Sequence, residues 1–189
     1  ALVMETLSSS AATTSWAEGA WSSVRGYPSR VTYHQGRLHF ARTPYEPQKG
    51  WASKPYEYTD FTPGSDDGDA ISYKLETNES NDIRWIASSK VPVLGTFGGD
   101  FVINSGNANE PLAPDNVTAS NQTNWASEAI QPVKIGNRFY YVQSPGRKIR
   151  ELYFLWDEDS YKSVDVTPFS EHLTVSVIKD MAFQQNPEG

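Results

Sequence analysis

Residues 25–40 read RGYPSRVTYHQGRLHF, and their alternation decides the fold class. A Gly-Tyr-Pro turn leads into a run in which Val31 and Tyr33 alternate with Thr32 and His34. Gln35 and Gly36 follow, and Leu38 and Phe40 then alternate with Arg37 and His39. Successive side chains of a strand point to opposite faces, so a period of two marks a half-buried strand. Two such runs joined by a two-residue turn containing glycine predict a β-hairpin. The unit recurs: Gly98-Gly99 joins LGTF to DFVIN, Gly136-Asn137 joins VKI to RFYYV, and Pro145-Gly146 joins RFYYVQ to RKIRELYF.

The composition agrees with strands. Of 189 residues, 38% are apolar and 13% aromatic, and 12 prolines and 13 glycines argue against long helices. There are no cysteines, which removes disulfides, thiolate metal sites and cysteine nucleophiles together. The formal net charge of −7 is the reverse of the basic footprint that grips nucleic acid. No apolar run approaches the length that spans a membrane, and the opening ALVMETLSSS lacks the basic and apolar regions of a signal peptide.

The first 23 residues are rich in Ser, Thr and Ala and are expected to form an extended or mobile lead-in, anchored by Trp16 and Trp21. Residues 24–189 are expected to form a single β-rich domain, a fragment of a longer protein. Beyond the first hairpin, a short strand is predicted to begin at 51–53, and further strands over 70–76, 83–88, 91–97, 101–104 and 117–123. Four more follow at 133–135, 138–143, 149–156 and 161–166, and a further pair is predicted to begin within 175–185. Four antiparallel strands in such a short span resemble one blade of a β-propeller or one sheet of a β-sandwich. The fold class is therefore all-β, built of short antiparallel hairpins into a partial propeller-like platform, with a β-sandwich as the alternative.

The chemistry-bearing residues are weak signals. Asp66, Asp67 and Asp69 surround Gly68, but EF-hand spacing is missing, and an acidic solvated turn is expected there and at Asp157, Glu158 and Asp159. His34 and His39 are expected to be exposed strand residues; with His172 and no HExxH they give no metal pattern. There is no GxSxG elbow, no GxGxxG and no phosphate-loop motif. Asn78, Asn116 and Asn121 open glycosylation sequons, which matter only in a secreted eukaryotic protein. Lys134, Arg138, Arg147, Lys148 and Arg150 form the one basic cluster, a channel or interface candidate set against a plain solvated strand face. Trp16, Trp21 and Trp125 are candidate aromatic surface anchors.

An ordered series runs through the chain: RGYP at 25–28, VTYHQGRLHFA at 31–41, WASK at 51–54, DDGDAI at 66–71 and IRW at 83–85. LGTFGGDF at 94–101, EPLAP at 110–114, GNR at 136–138, GRKIREL at 146–152, EHL at 171–173 and MAFQQ at 181–185 complete it. The series resembles the tail nozzle proteins of short-tailed bacteriophages, also called tail tubular protein B, and related prophage tail proteins.

That resemblance implies a propeller-type platform in a homo-oligomeric ring of the virion tail, assembled in the bacterial host cytoplasm. Such a ring sits below an adaptor, carries tail fibres or spikes in some phages, and passes DNA as transiting cargo. It implies no enzyme activity, cofactor or membrane partner. Gly98-Gly99 would serve as a turn, and Trp51, Arg84 and Trp85 would serve packing. Family members are several times longer, and about three blades are expected here. An acidic surface suits a conduit past which DNA slides without sticking. The rival readings are a tail module binding a host receptor or glycan through its tryptophans, and a tail-associated polysaccharide hydrolase.

Overall fold

The computed structural model describes residues 19–77, 81–106 and 110–185, which hold twelve β-strands and no helix. The first four are β1 (Arg30–His34), β2 (Arg37–Ala41), β3 (Lys49–Ala52) and β4 (Ile71–Lys74). The second four are β5 (Ile83–Ser88), β6 (Pro92–Thr96), β7 (Asp100–Ser105) and β8 (Val117–Thr123). The last four are β9 (Val133–Ile135), β10 (Arg138–Gln143), β11 (Lys148–Leu155) and β12 (Ser160–Asp165). Each group forms one four-stranded antiparallel sheet whose spatial order follows the chain. The protein is thus all-β and hairpin-built, as the alternation predicts.

The opening hairpin shows why local sequence suffices. Gln35 and Gly36 adopt φ of 48° and 71°, so both central residues lie in the left-handed region that a type I′ turn requires. His34 then faces Arg37, and the register runs on to Arg30 opposite Ala41.

The sheets stack face to face with the second in the middle. Ala41, Ala52, Ile71 and Tyr73 of the first sheet meet Ile86, Leu94, Phe101 and Ile103 of the second. The other face of the second sheet, Trp85, Ala87, Val93 and Val102, meets Phe139, Tyr141, Leu152 and Tyr161 of the third. A sheet covered on both faces loses the apolar–polar alternation. Accordingly β6 is buried at all five residues, whereas β4 alternates buried and exposed.

The first strands share one edge of the stack. β1 lies against β5, and near β9 Gln131 Nε2 donates to the Ile86 carbonyl at 2.9 Å and Lys134 Nζ to that of Ser88 at 3.3 Å. The fourth strands share the opposite edge, β4 and β12 both touching β8. The arrangement is compatible with successive propeller blades. Taken pairwise, it is two sandwich interfaces sharing a sheet.

Two mid-strand glycines explain themselves by register. Gly95 lies opposite Trp85 and Gly50 opposite Tyr73. In each pair the ring lies over the glycine backbone, and a Cβ there would overlap it.

The strand pair expected to begin within 175–185 is not formed: residues 166–185 carry no strand. Instead this segment turns back on the β10–β11 connection, where the Ile178 amide donates to the Gly146 carbonyl at 2.7 Å. Residues 1–18 of the expected lead-in, Trp16 among them, lie outside the described residues.

Candidate functional site

Asp100 opens β7 between the second and third sheets and is fully buried. Its Oδ2 accepts from Thr123 Oγ1 at 2.6 Å and from the Tyr141 hydroxyl at 3.0 Å, and its Oδ1 accepts from Ser127 Oγ at 3.2 Å. The Tyr141 hydroxyl also meets Ser163 Oγ at 2.9 Å. Arg150 Nη1 donates to the Ser163 carbonyl at 3.2 Å and to its hydroxyl at 3.4 Å. Arg150 Nε reaches Gln143 Oε1 at 2.6 Å, and the guanidinium stacks 3.5 Å from the Trp125 ring centroid.

The protons run one way: Arg150 donates to Ser163, Ser163 to Tyr141, and Tyr141 to Asp100. A buried carboxylate is tolerated when donors and a counter-charge compensate it. Burial pushes the Asp100 carboxyl up to about 6, against the pull of Thr123, Tyr141, Ser127 and the Arg150 charge. Burial also raises the Tyr141 phenol. With both Asp100 oxygens engaged and Asp100 and Tyr141 fully buried, the arrangement is a strut tying two sheets together.

Between the first and second sheets the polar interior is different. The inner face of the first sheet is apolar at β3 and β4 but carries Arg30, His34, Arg37 and His39 at β1 and β2. Arg37 is caged by carbonyls: Nη1 donates to Ser53 at 2.9 Å and Asp69 at 2.6 Å, and Nη2 to Asp67 at 2.6 Å and Leu112 at 3.5 Å. The acidic turn is therefore held through its backbone. His34 Nδ1 meets Ser88 Oγ at 2.9 Å. His34 Nε2 and both ring nitrogens of His39 are buried without a hydrogen-bond partner of normal geometry among the described residues. Burial, then the neighbouring His34 and Arg37 charges, holds the His39 imidazole down to about 3.

The expectation of exposed histidines is thus corrected: His34 is 6% and His39 1% accessible, while Val31 and Tyr33 are 53% and 61% accessible. The alternation is real, but the polar side of the hairpin faces inward. Trp21 accounts for part of this inversion. It sits edge-on to Phe40 at 5.3 Å, Trp51 at 5.7 Å and Phe61 at 4.9 Å, making an aromatic cluster on the outer face of the first sheet.

The five cations grouped by sequence are not brought onto one face, because neighbours on a strand point opposite ways. Arg150 is buried in the strut. Arg138 pairs with Glu151 at 2.7 Å on the outer face of the third sheet. Lys148 pairs with Asp165 at 3.1 Å and Glu171 at 3.0 Å. Lys134 Nζ lies 5.7 Å from the Phe139 ring centroid. Arg147 occupies the β10–β11 turn, where its carbonyl accepts from Thr174 Oγ1 at 2.6 Å. Of the candidate anchors, Trp125 is half exposed with Arg150 against its ring.

Open clefts also occur among the described residues. One of about 320 Å³ includes Glu76, Asn81, Asn121 and Asn124; the other, of about 420 Å³, includes Arg37, Tyr56, Asp67 and Leu112. Each has a single carboxylate in its lining, whereas paired-acid glycoside hydrolysis needs two. Among the described residues no group of three His, Asp or Glu side chains is placed to hold a metal ion.

The fold and these interiors define an all-β protein of stacked antiparallel meanders tied by buried polar contacts. No protein-family model matches the chain, and no curated protein matches it either.

Sequence reasoning missed Asp100, Tyr141 and Arg37. A signal existed for Asp100, a lone acid directly after the Gly98-Gly99 turn at the head of an apolar run. None existed for its partners, which come from separate segments.

Proposed function

We propose that the chain is a structural component of a bacteriophage tail nozzle, contributing by assembly into a ring around a DNA exit channel. The observation that carries this reading is the distribution of exposed apolar side chains. Val31, Tyr33 and Tyr58 lie exposed on or beside the outer face of the first sheet. Val164 on the outer face of the third, and Val166, Phe169, Leu173 and Val175 after it, are also exposed. The middle sheet is covered on both faces. A stack with apolar groups toward each end suits a unit that continues sideways into a neighbour. Three further points favour the reading: the ordered resemblance to nozzle proteins, the net charge of −7, and interior polar groups arranged as ties.

Negative-stain electron microscopy of the purified chain tests it, with closed rings expected. Discrete single particles at every concentration would overturn the assembly. Duplex DNA binding with a steep salt dependence would overturn the passive channel.

A further inference from the structure

A third polar cluster lies at the margin between the first and second sheets. Arg30 opens β1 on its inner face, Arg42 follows β2, and Arg84 lies in β5. Arg42 and Arg84 close on one acid, and Arg30 lies near enough to feel all three charges. Asp82 Oδ2 is 3.0 Å from Arg42 Nη2 and 3.9 Å from Arg84 Nη2, so two guanidiniums flank a single oxygen. Arg30 feels Arg42 and Arg84 as like charges and Asp82 as the opposing one.

Two of the arginines sit on irregular backbone. Arg42 adopts a φ of 60°, in the left-handed region that non-glycine residues avoid. Its backbone is pinned there, the amide donating to the Lys49 carbonyl at 3.0 Å and the carbonyl accepting from the Ser29 amide at 3.0 Å. Arg84 lies at the register shift between Ile83 and Trp85, and bulges of this kind re-aim a side chain. Its guanidinium lies 5.7 Å from the ring centroid of exposed Phe97. Backbone strain and bulges concentrate at binding sites.

The cluster is under-neutralised. Among the described residues three guanidiniums face one carboxylate, an excess of two positive charges. The Nε of Arg30, Arg42 and Arg84 is in each case buried with no acceptor among the described residues. About three-tenths of the Arg42 and Arg84 side chains remains accessible, 31% and 28%, so the site opens to solvent. Planar guanidinium forks match tetrahedral oxyanions, and a dianion balances the excess charge.

We propose that Arg30, Arg42 and Arg84 bind a phosphate-type dianion at the margin of the first two sheets. The site is independent of the ring assembly and of the five basic residues singled out from the sequence.

Thermal unfolding of the full chain with inorganic phosphate, against sodium chloride at equal ionic strength, tests the proposal. A saturable rise in Tm with phosphate alone is expected. It should vanish in Arg30→Gln and Arg84→Gln, whose Tm in chloride should match or exceed that of the unchanged protein because a repulsion is relieved. Arg30→Lys, which keeps the charge but loses the fork, should retain a weakened shift. Isothermal titration calorimetry of the unchanged protein with phosphate decides the matter should a variant misfold, and saturable heat is expected. A phosphate effect no larger than that of chloride, an equal shift in both glutamine variants, or no saturable heat would overturn the proposal.

Discussion

Between the second and third sheets, Asp100, Tyr141, Ser163 and Arg150 form one hydrogen-bonded chain. Between the first and second, His34 and His39 leave three of their four ring nitrogens without a hydrogen-bond partner of normal geometry among the described residues. Both interfaces also carry an apolar core, and Trp85 Nε1 between the second and third sheets likewise has no hydrogen-bond partner among the described residues, so the contrast lies between the Asp100 chain and the histidine pair. A satisfied network fixes one relative placement of two sheets, because any shift breaks several bonds together. An unsatisfied pair permits small shifts and becomes the weak point when it must take up a proton.

The largest effect is expected at the apolar centre between the second and third sheets. Trp85→Ala removes a fully buried ring and should cost about 3–5 kcal/mol, read as a fall in the denaturant midpoint.

Acidity should then separate the two interfaces, with opposite signs. The His39 pKa lies near 3 when folded and near 6.5 when unfolded, so its contribution is present above pH 6.5 and is lost as pH falls toward 3. That loss is of the order of 5 kcal/mol. The Asp100 pKa lies near 6 when folded and 3.8 when unfolded, so its contribution is present at low pH and is lost as pH rises through 6. That loss is of the order of 3 kcal/mol. The two oppose each other between pH 4 and 6. Unfolding in urea across pH should therefore show a curve for His39→Phe that falls from pH 4 to 6. The curve for Asp100→Asn should fall steeply on the acid side.

A smaller effect belongs to the link itself. Tyr141→Phe deletes the hydroxyl shared by Asp100 and Ser163 and should cost about 1–3 kcal/mol, while His34→Phe at the other interface should cost less. Smallest of all, Arg138→Ala should change stability by less than about 1 kcal/mol in the same assay, since its pair with Glu151 is exposed on the arginine side.

How much of this was legible depended on how local the cause was. The last four strands, read as 133–135, 138–143, 149–156 and 161–166, lie within a residue of those observed, because tight turns and one-sided alternation are local properties. The hairpin at 30–41 was legible as a hairpin, yet its faces were not. Nothing within it says that Trp21 and Phe61 will cap Phe40, or that β5 will bring Ser88 to His34. The strut was illegible for the same reason: Asp100, Thr123, Ser127, Tyr141 and Arg150 meet only after two sheets close. The basic cluster was legible as composition alone, and strand alternation then sent Arg138 and Arg150 to opposite faces.

On the proposed reading, the exposed apolar groups toward the two ends of the stack are assembly surfaces. Sedimentation velocity of the chain over a wide concentration range, beside Tyr33→Asp, addresses it directly. Discrete larger species that form with concentration and disappear in the variant are expected. A single monomeric boundary at every concentration, or the same larger species in both proteins, would contradict it.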